Sequence, residues 1–212
     1  MRALILANGD PPEPEFILRL AAESDLVVAT DGAAHRAAGL GLTPHLITGD
    51  FDSARPEIVR LEFPHAEMLT TPDQNYTDLE KAIRLVLERG AKQITVVGAT
   101  GGRLDQTVAN FLLALRYPLP GGIVIRDEMG ALWGLDGADS PVEYSWRTAP
   151  GDVVSLISPD GRARIRLTGV EWPLEDEILP LGTRGVSNVA LGVTVTAHVT
   201  GGSVIVCHQA PS

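Results

Sequence analysis

Through its first 120 residues the chain alternates two rhythms, and after them it keeps only one. Ala3 to Ala7, Asp25 to Ala29, His45 to Thr48 and Gln93 to Val97 are short continuous apolar runs, the pattern of strands buried on both faces of a parallel sheet. Between them lie stretches of helical period. Thr77 to Arg89 places Leu79, Ala82, Ile83, Val86 and Leu87 on one face, with Gly90 where a C-terminal cap belongs. Thr77 and Glu80 have the capping-box spacing at its start. A second helix is predicted from about Asp105 to Leu115, with Leu104, Val108, Phe111, Leu112 and Leu115 on one stripe. Strands alternating with helices imply an α/β layer fold. Pro118, Pro120, Gly121 and Gly122 then break the chain, and only β-type runs follow: Ile123 to Ile125, Asp152 to Ile157, Ala163 to Thr168, Val193 to Val199 and Ser203 to Val206. Their spacing suits a small sandwich. The expectation is an α/β N-terminal domain with a mostly parallel, Rossmann-like sheet over residues 1–120, followed by an all-β sandwich over residues 121–212.

Composition narrows the function of such a chain. With 27 Asp and Glu against 17 Lys and Arg, a formal charge of -10 repels a phosphate backbone. Three Trp, three Tyr and four Phe leave little to stack on bases. Nucleic-acid binding is disfavoured on both counts, and the acid excess speaks equally against an anionic membrane surface. No apolar run approaches the ~20 residues of a membrane span. Met1 to Asn8 is too short for a leader and reads as a first strand. The single cysteine, Cys207, lies in a valine-rich run and reads as a buried inert thiol, which fits a reducing cytoplasm.

Four segments fall just past predicted strands or at helix starts, where open α/β sheets place ligands. Thr30-Asp31-Gly32-Ala33-Ala34 follows the second strand, and Asp31 there serves equally as a helix cap. Gly49-Asp50-Phe51-Asp52-Ser53 follows the third. Residues two apart in an extended segment project to one side, so Asp50 and Asp52 present two carboxylates together, an arrangement that suits a hard divalent cation. Thr71 to Asp78 leads into the capped helix. Asp78 in its first turn gains from the helix dipole and could complete a carboxylate set while free amides face phosphate. Lys81, one of only two lysines among the 17 basic residues, lies one turn on. Gly98 to Gln106 runs from a strand end into the second helix; its glycines let backbone amides approach phosphate, and Arg103 adds a forked donor. This loop matches neither the dinucleotide fingerprint nor the P-loop. No Gly-x-Ser-x-Gly elbow is present, and His35, His45, His65, His198 and His208 have no zinc-ligand spacing.

In this order the segments resemble the thiamin pyrophosphokinase family. The resemblance rests on Asp31-Gly32-Ala33, Gly49 to Ser53, Thr71 to Gln74 with Thr77, Asp78 and Lys81, and Gly101-Gly102-Arg103 with Asp105 and Gln106. It continues through Thr168 to Leu174 and from Gly182 to Asn188, about residues 3–207 in all. It implies transfer of a diphosphate from ATP to the hydroxyl of thiamin, leaving AMP. It further implies Asp50, Asp52 and Asp78 as Mg²⁺ ligands, Lys81 and Arg103 as phosphate clamps, and Asp31, Gln74, Thr77, Gly101, Gly102 and Asp105 in the nucleotide site. Trp172, Ser187 and Asn188 would meet thiamin, the indole offering a face to its cationic ring. A homodimer, each site completed by the β domain of the partner, is implied as well. The family pattern is broken at Ala33, Ala34 and His35, at Asn75, at Gln106 and at Val189. Two other readings compete: a silent thiamin or nucleotide sensor on the same fold, and a kinase moving only the γ-phosphate to another small alcohol. Which group takes the hydroxyl proton is left open.

Overall fold

The computed structural model describes residues 1–51 and 55–211. They divide into two compact units, residues 1–113 with 123–128, and residues 114–122 with 129 onward.

The first unit follows from its apolar runs. β1 (Arg2–Leu6), α1 (Pro14–Ala22), β2 (Leu26–Thr30), a 3-10 turn (Asp31–Ala33), α2 (Ala34–Gly39), β3 (Leu46–Gly49), α3 (Pro56–Glu62), β4 (Glu67–Thr70), α4 (Asp78–Glu88), β5 (Gln93–Val97), α5 (Leu104–Arg116) and β6 (Ile123–Arg126) follow one another. The strands lie in the order β4-β3-β2-β1-β5-β6, each pair parallel. Leu4, Ile5, Leu6, Val28, Ala29, Leu46 and Ile47 are fully buried, as residues covered on both faces must be. The sheet grows from β1 toward β4 and then resumes on the other side of β1 with β5. Between β1 and β5 lies the switch point, where the loops leaving two neighbouring strands diverge and open a crevice.

Local chemistry sets the helix ends. Thr77 caps α4 by accepting from the Glu80 amide at 3.3 Å, and Gly90, at φ +83°, ends it. Leu79, Ala82, Ile83 and Val86 are buried as the period requires.

The α5 stripe is only partly covered: Leu104, Val108 and Leu112 are exposed and Phe111 and Leu115 half-buried, while Asn110, Leu113 and Ala114 are buried. Period locates an apolar face without saying what covers it. The run at Ile123, placed in the β region by the break at Pro118 to Gly122, pairs in parallel with β5 through Ile94–Ile123, Thr95–Val124 and Val96–Ile125. It therefore completes the first sheet, since Ile123 and Ile125 gain full burial there.

The second unit is a sandwich of antiparallel strands: β7 (Gly130–Asp136), β8 (Val142–Arg147), β9 (Val153–Ile157), β10 (Arg164–Thr168), β11 (Leu174–Ile178), β12 (Asn188–Val189), β13 (Thr194–Gly201) and β14 (Ser203–Gln209). One layer has the order β12-β9-β14-β7 and the other β11-β10-β13-β8. Burial alternates along β8, β9, β10 and β13, with Ile165 and Leu167 of β10 inside and Arg164 and Arg166 outside. Trp133 and Trp146 meet edge to face at 5.3 Å within it. Burial pushes the Cys207 thiol up to about 11, well away from a thiolate nucleophile. Among the described residues no helix follows α5, and no helix is long and apolar enough to cross a membrane.

Candidate functional site

A cleft of about 390 Å³ opens at the carboxyl ends of the first unit's strands. Its walls come from the loop after β1 (Ala7, Asn8, Gly9), the end of β2 (Thr30, Asp31), the start of α4 (Thr77, Asp78, Leu79), the loop after β5 (Ala99, Gly101, Gly102, Arg103) and two residues of α5 (Gln106, Asn110). The loops after β1 and β5 are tied to each other: the Gly9 amide donates to Gly98 O and the Asp10 amide to Thr100 O, both at 2.7 Å. A Cβ on Gly9 would sit 2.2 Å from Thr100 O, so only glycine permits that approach.

Carboxylate oxygens of Asp31, Asp50 and Asp78 lie within 4.8 Å of one another. Full charges at that separation repel by about 3–4 kcal/mol per pair at the effective dielectric of a protein. Asp31 is the centre of the arrangement, only 2% exposed. It accepts from the Gly32 amide at 2.6 Å and the Phe51 amide at 2.8 Å. Burial pushes its pKa up, and Asp78 and Asp50 push the same way; the two amides oppose them without prevailing. Gly49 makes room for it, because a Cβ there would fall 2.3 Å from the Asp31 carboxyl carbon. Phe51 takes up φ +61° and so presents its amide to Asp31. Asp50 accepts from Gln74 Nε2 at 3.4 Å. Asp78 accepts from Lys81 Nζ at 3.1 Å, and that lysine is itself only 8% exposed. A buried lysine against a cluster of acids offsets part of the negative charge. Hard oxygen donors converging with net negative charge fit a Mg²⁺-sized cation.

Asp31, expected in the nucleotide site, lines the cleft and also falls in the carboxylate cluster with Asp50 and Asp78. Asp52 and Ser53, named from the acidic motif, lie outside the described residues. Thr77, Gly101, Gly102 and Arg103 line the cleft as their positions after strands suggested. Lys81 and Gln74 are not among the residues lining the cleft and are bonded to Asp78 and Asp50 instead. Arg103 makes a two-pronged pair with Asp105, 3.1 Å from Nε and 2.5 Å from a terminal nitrogen. That pair holds the Asp105 carboxyl below its ordinary value and raises the guanidinium. Both side chains are solvent-exposed, so the pair is weak and exchangeable.

The breaks in the family pattern have local explanations. Ala33 and Ala34 are fully buried in the core, and His35 pairs with Glu62 of α3 at 3.1 Å. Asn75 donates from its amide (2.9 Å) and side chain (2.8 Å) to Asp73. Sequence reasoning missed Asn8, Gly9, Thr30 and Asn110 as cleft residues. Asn8-Gly9-Asp10 follows the first strand as the other motifs follow theirs, which was the available signal.

A second cavity, about 250 Å³, lies in the other unit among Leu167, Trp172, Leu174, Arg184, Ser187 and Asn188. Trp172 is 53% exposed there. Asn188, expected as a ligand contact, lines the cavity and is bonded to its neighbours: its Oδ1 accepts from the Trp172 and Val189 amides at 3.1 and 2.9 Å, and its Nδ2 donates to Trp172 O at 2.6 Å. It fixes the tryptophan backbone. Ser187, at φ +63°, donates its amide to Ser155 Oγ at 3.0 Å and leaves its hydroxyl at the cavity.

Comparison with known proteins agrees with this geometry. The family model described as "Thiamin pyrophosphokinase, catalytic domain" matches residues 17–122, and "Thiamin pyrophosphokinase, vitamin B1 binding domain" matches residues 143–204. Thiamin pyrophosphokinase 1 of Caenorhabditis elegans is 34% identical over 167 residues, 73% of this chain and 67% of the nematode protein. The crystal structure of thiamine pyrophosphokinase from Bacillus subtilis superposes with a TM-score of 0.83 at 23% identity, covering 99% of each chain. That of the Geobacillus thermodenitrificans protein gives 0.79 at 26% identity, covering 100% of this chain and 99% of the other.

Proposed function

The chain belongs to the thiamin pyrophosphokinase family and is an enzyme of that class, and from that premise we propose how its residues divide the work. The first unit holds Mg-ATP in its cleft, and the second unit holds thiamin. Asp31, Asp50 and Asp78 hold the metal, with Asp52 of the same motif as a fourth carboxylate. When bound, Mg²⁺ neutralises phosphate oxygens as a Lewis acid. Thr77 keeps the start of α4 in place, so that its free amides face phosphate. Lys81 holds Asp78 in position through its hydrogen bond, and Gln74 does the same for Asp50. Gly101 and Gly102 let loop amides close on the phosphates, while Arg103 leaves Asp105 to clamp them. In the second region Trp172 stacks on the vitamin's cationic ring, Ser187 offers its hydroxyl, and Asn188 holds Trp172 in position.

The reaction is a displacement at the β-phosphorus. The thiamin hydroxyl oxygen bonds to it, the bond from the α–β bridging oxygen to the β-phosphorus breaks, AMP leaves, and the hydroxyl proton is released. Such transfers depend mainly on positioning and charge neutralisation, which is what this donor set can provide. The observation that carries the reading is the convergence of Asp31, Asp50 and Asp78 within 4.8 Å at the mouth of a glycine-lined cleft.

A homodimer belongs to the same proposal. Leu104, Val108 and Leu112 recur at helical spacing on α5 and are exposed, and an apolar helix face left in water favours a partner surface. The proposed compartment is the cytoplasm, where Cys207 stays reduced. Incubating the protein with ATP, Mg²⁺ and thiamin and identifying the nucleotide released tests the chemistry. AMP with thiamin diphosphate is expected. ADP would replace this reading with γ-phosphate transfer, and binding of both ligands without turnover would leave a sensor. Light scattering at micromolar concentration tests the dimer, which Val108→Glu should split.

A further inference from the structure

Two polar atoms of the cleft have no task in the assignments above. Thr30, at the end of β2, is 2% exposed, and its Oγ1 has no hydrogen-bond partner. Asn110, on α5, is 7% exposed; its Nδ2 donates to Ala99 O at 2.8 Å and its Oδ1 has no partner. Both residues line the cleft. The bond to the Ala99 carbonyl fixes the amide's orientation, because only the NH₂ end can donate there; the unpaired arm is therefore the acceptor. Buried oxygens without partners are rare and destabilising in folded proteins, so two at one cleft ask for a ligand; the Thr30 hydroxyl can donate or accept, whereas the Asn110 oxygen requires a donor.

The chemistry of the missing donor is restrictive. Phosphate oxygens at neutral pH accept hydrogen bonds, and they suit the other furnishings of the cleft: Arg103, the glycine amides and a cation on the carboxylates. They cannot satisfy Asn110 Oδ1. ATP carries donors only on its nucleoside part, at the exocyclic amine of adenine and at the ribose hydroxyls. We propose that Thr30 and Asn110 are specificity-determining residues that hydrogen-bond to the nucleoside of ATP, Asn110 Oδ1 as acceptor and the Thr30 hydroxyl as donor or acceptor, and so select the donor nucleotide. Asn110 has a second, positioning role, since its bond to Ala99 anchors the loop that presents Gly101 and Gly102. This inference rests on the reading of the cleft as the ATP site.

The test is steady-state thiamin diphosphate formation by wild type, Thr30→Val and Asn110→Leu with ATP, ITP, 2′-deoxy-ATP and 3′-deoxy-ATP. Wild type should prefer ATP about five- to tenfold in kcat/KM over the analogue lacking the group that is read. Inferior use of ITP identifies the amine, and inferior use of a deoxy analogue identifies a hydroxyl. Each variant should raise KM for ATP by about fivefold or more and narrow that preference. Thr30→Val is the decisive variant, because its hydroxyl bonds to nothing in the protein. The melting temperature should hold or rise while KM for ATP worsens, a combination that a structural threonine would not give. If wild type uses ATP normally and Thr30→Val changes neither KM for ATP nor the ranking of analogues, the inference falls and the ATP reading stands. If wild type forms no AMP from ATP, both fall. Should Asn110→Leu fail to fold through loss of the Ala99 bond, Thr30→Val alone decides.

Discussion

The cleft of the first unit and the cavity of the second are built on opposite plans. In the cleft, three carboxylates are held together by backbone: amides of Gly32 and Phe51 fix Asp31, and Gly49 clears its space. Like charges are kept close at a cost to the fold, and the pKa of Asp31 is raised by burial and by its acidic neighbours. In the cavity nothing is strained electrostatically. A half-exposed tryptophan stands on a backbone that Asn188 secures with hydrogen bonds on both sides of its amide. One site stores repulsion that a cation would relieve, and the other offers an open aromatic face. Metal-dependent steps should therefore fail abruptly when the cleft is altered, whereas changes in the cavity should weaken vitamin binding gradually.

The largest expected effect tests the cleft's side of this contrast. Asp31→Asn or Asp78→Asn should lower kcat about 10³-fold, comparable with removing a main electrostatic stabiliser, and chelation by EDTA should abolish AMP release. Mg²⁺ should raise the melting temperature of wild type and leave that of either variant unchanged, because binding to the native state alone produces such a shift. A loss of less than tenfold in both variants would remove the carboxylate cluster from the chemistry. Next comes Gly49→Ala. Its new methyl must displace the Asp31 carboxyl, so a cost of about 1–3 kcal/mol and loss of the metal-dependent shift are expected in thermal melts. Gly192→Ala in the second unit meets no atom within 4 Å and should be close to neutral by the same measurement.

In the cavity the effects should be smaller and confined to thiamin. Trp172→Ala should raise KM for thiamin about tenfold, the range of a cation–π contact. Stability should change by no more than about 0.5 kcal/mol, as for other exposed sites. Trp172→Phe should recover part of the loss. Asn188→Ala should give a similar KM defect for a different reason, with about 2 kcal/mol of stability lost as the buried Trp172 backbone groups go unpaired. If Asn188→Ala altered KM without touching stability, it would be a ligand contact after all.

Legibility in the sequence followed the same division. Parallel strands are continuous apolar runs, so β1, β2, β3 and β5 stood out, and motifs just past their ends had to share one edge of the sheet. On that ground Thr77, Asp78, Gly101, Gly102 and Arg103 were expected at one edge, where they line the cleft, and Asp50 and Asp78 fall in the carboxylate cluster. Asp31 was read as a neighbour of that cluster and not as part of it, because adjacency of β2 and β3 is a three-dimensional fact: the Phe51 amide that orients Asp31 is 20 residues away. The exposure of part of the α5 stripe was not legible, since period is blind to neighbours. β7 and β11 escaped because Gly134 and the acids of Leu174–Ile178 dilute their alternation, and pairing such as Trp133 with Val206 or Leu167 with Leu174 makes them strands; β8, whose Val142, Tyr144 and Trp146 alternate with Glu143, Ser145 and Arg147, was legible and overlooked. The unpaired oxygens of Thr30 and Asn110 could not be read at all, because an unmet hydrogen bond has no sequence signature.

The smallest effect is the dependence of each unit's stability on pH, and its sign differs between them. Burial pushes the Asp152 carboxyl up, but the Ala149 amide at 2.7 Å and His208 Nε2 at 2.7 Å outweigh it and hold the pKa below its ordinary value. A depressed carboxyl stabilises the fold above the unfolded value of about 3.9, and that contribution disappears as pH falls through the folded value. Asp31 runs the other way. Its native pKa is raised, so in the absence of metal the native state holds its proton where the unfolded chain has released it. Ionisation then penalises the first unit as pH rises through the native value, and acidification relieves the penalty. Hydrogen-exchange protection, corrected for intrinsic rates, should be followed for amides of β2 and β3 and for those of β9 and β14, from pH 6 to pH 3 with chelator present. The contribution of Asp31 should increase protection in the first group as pH falls, and that of Asp152 should decrease it in the second. Other carboxylates contribute to both slopes, so the informative quantity is the difference made by Asp31→Asn and by Asp152→Asn. The two substitutions should shift the slopes of their own groups in opposite directions; shifts of the same sign would mean that the cleft does not hold its carboxylates against repulsion.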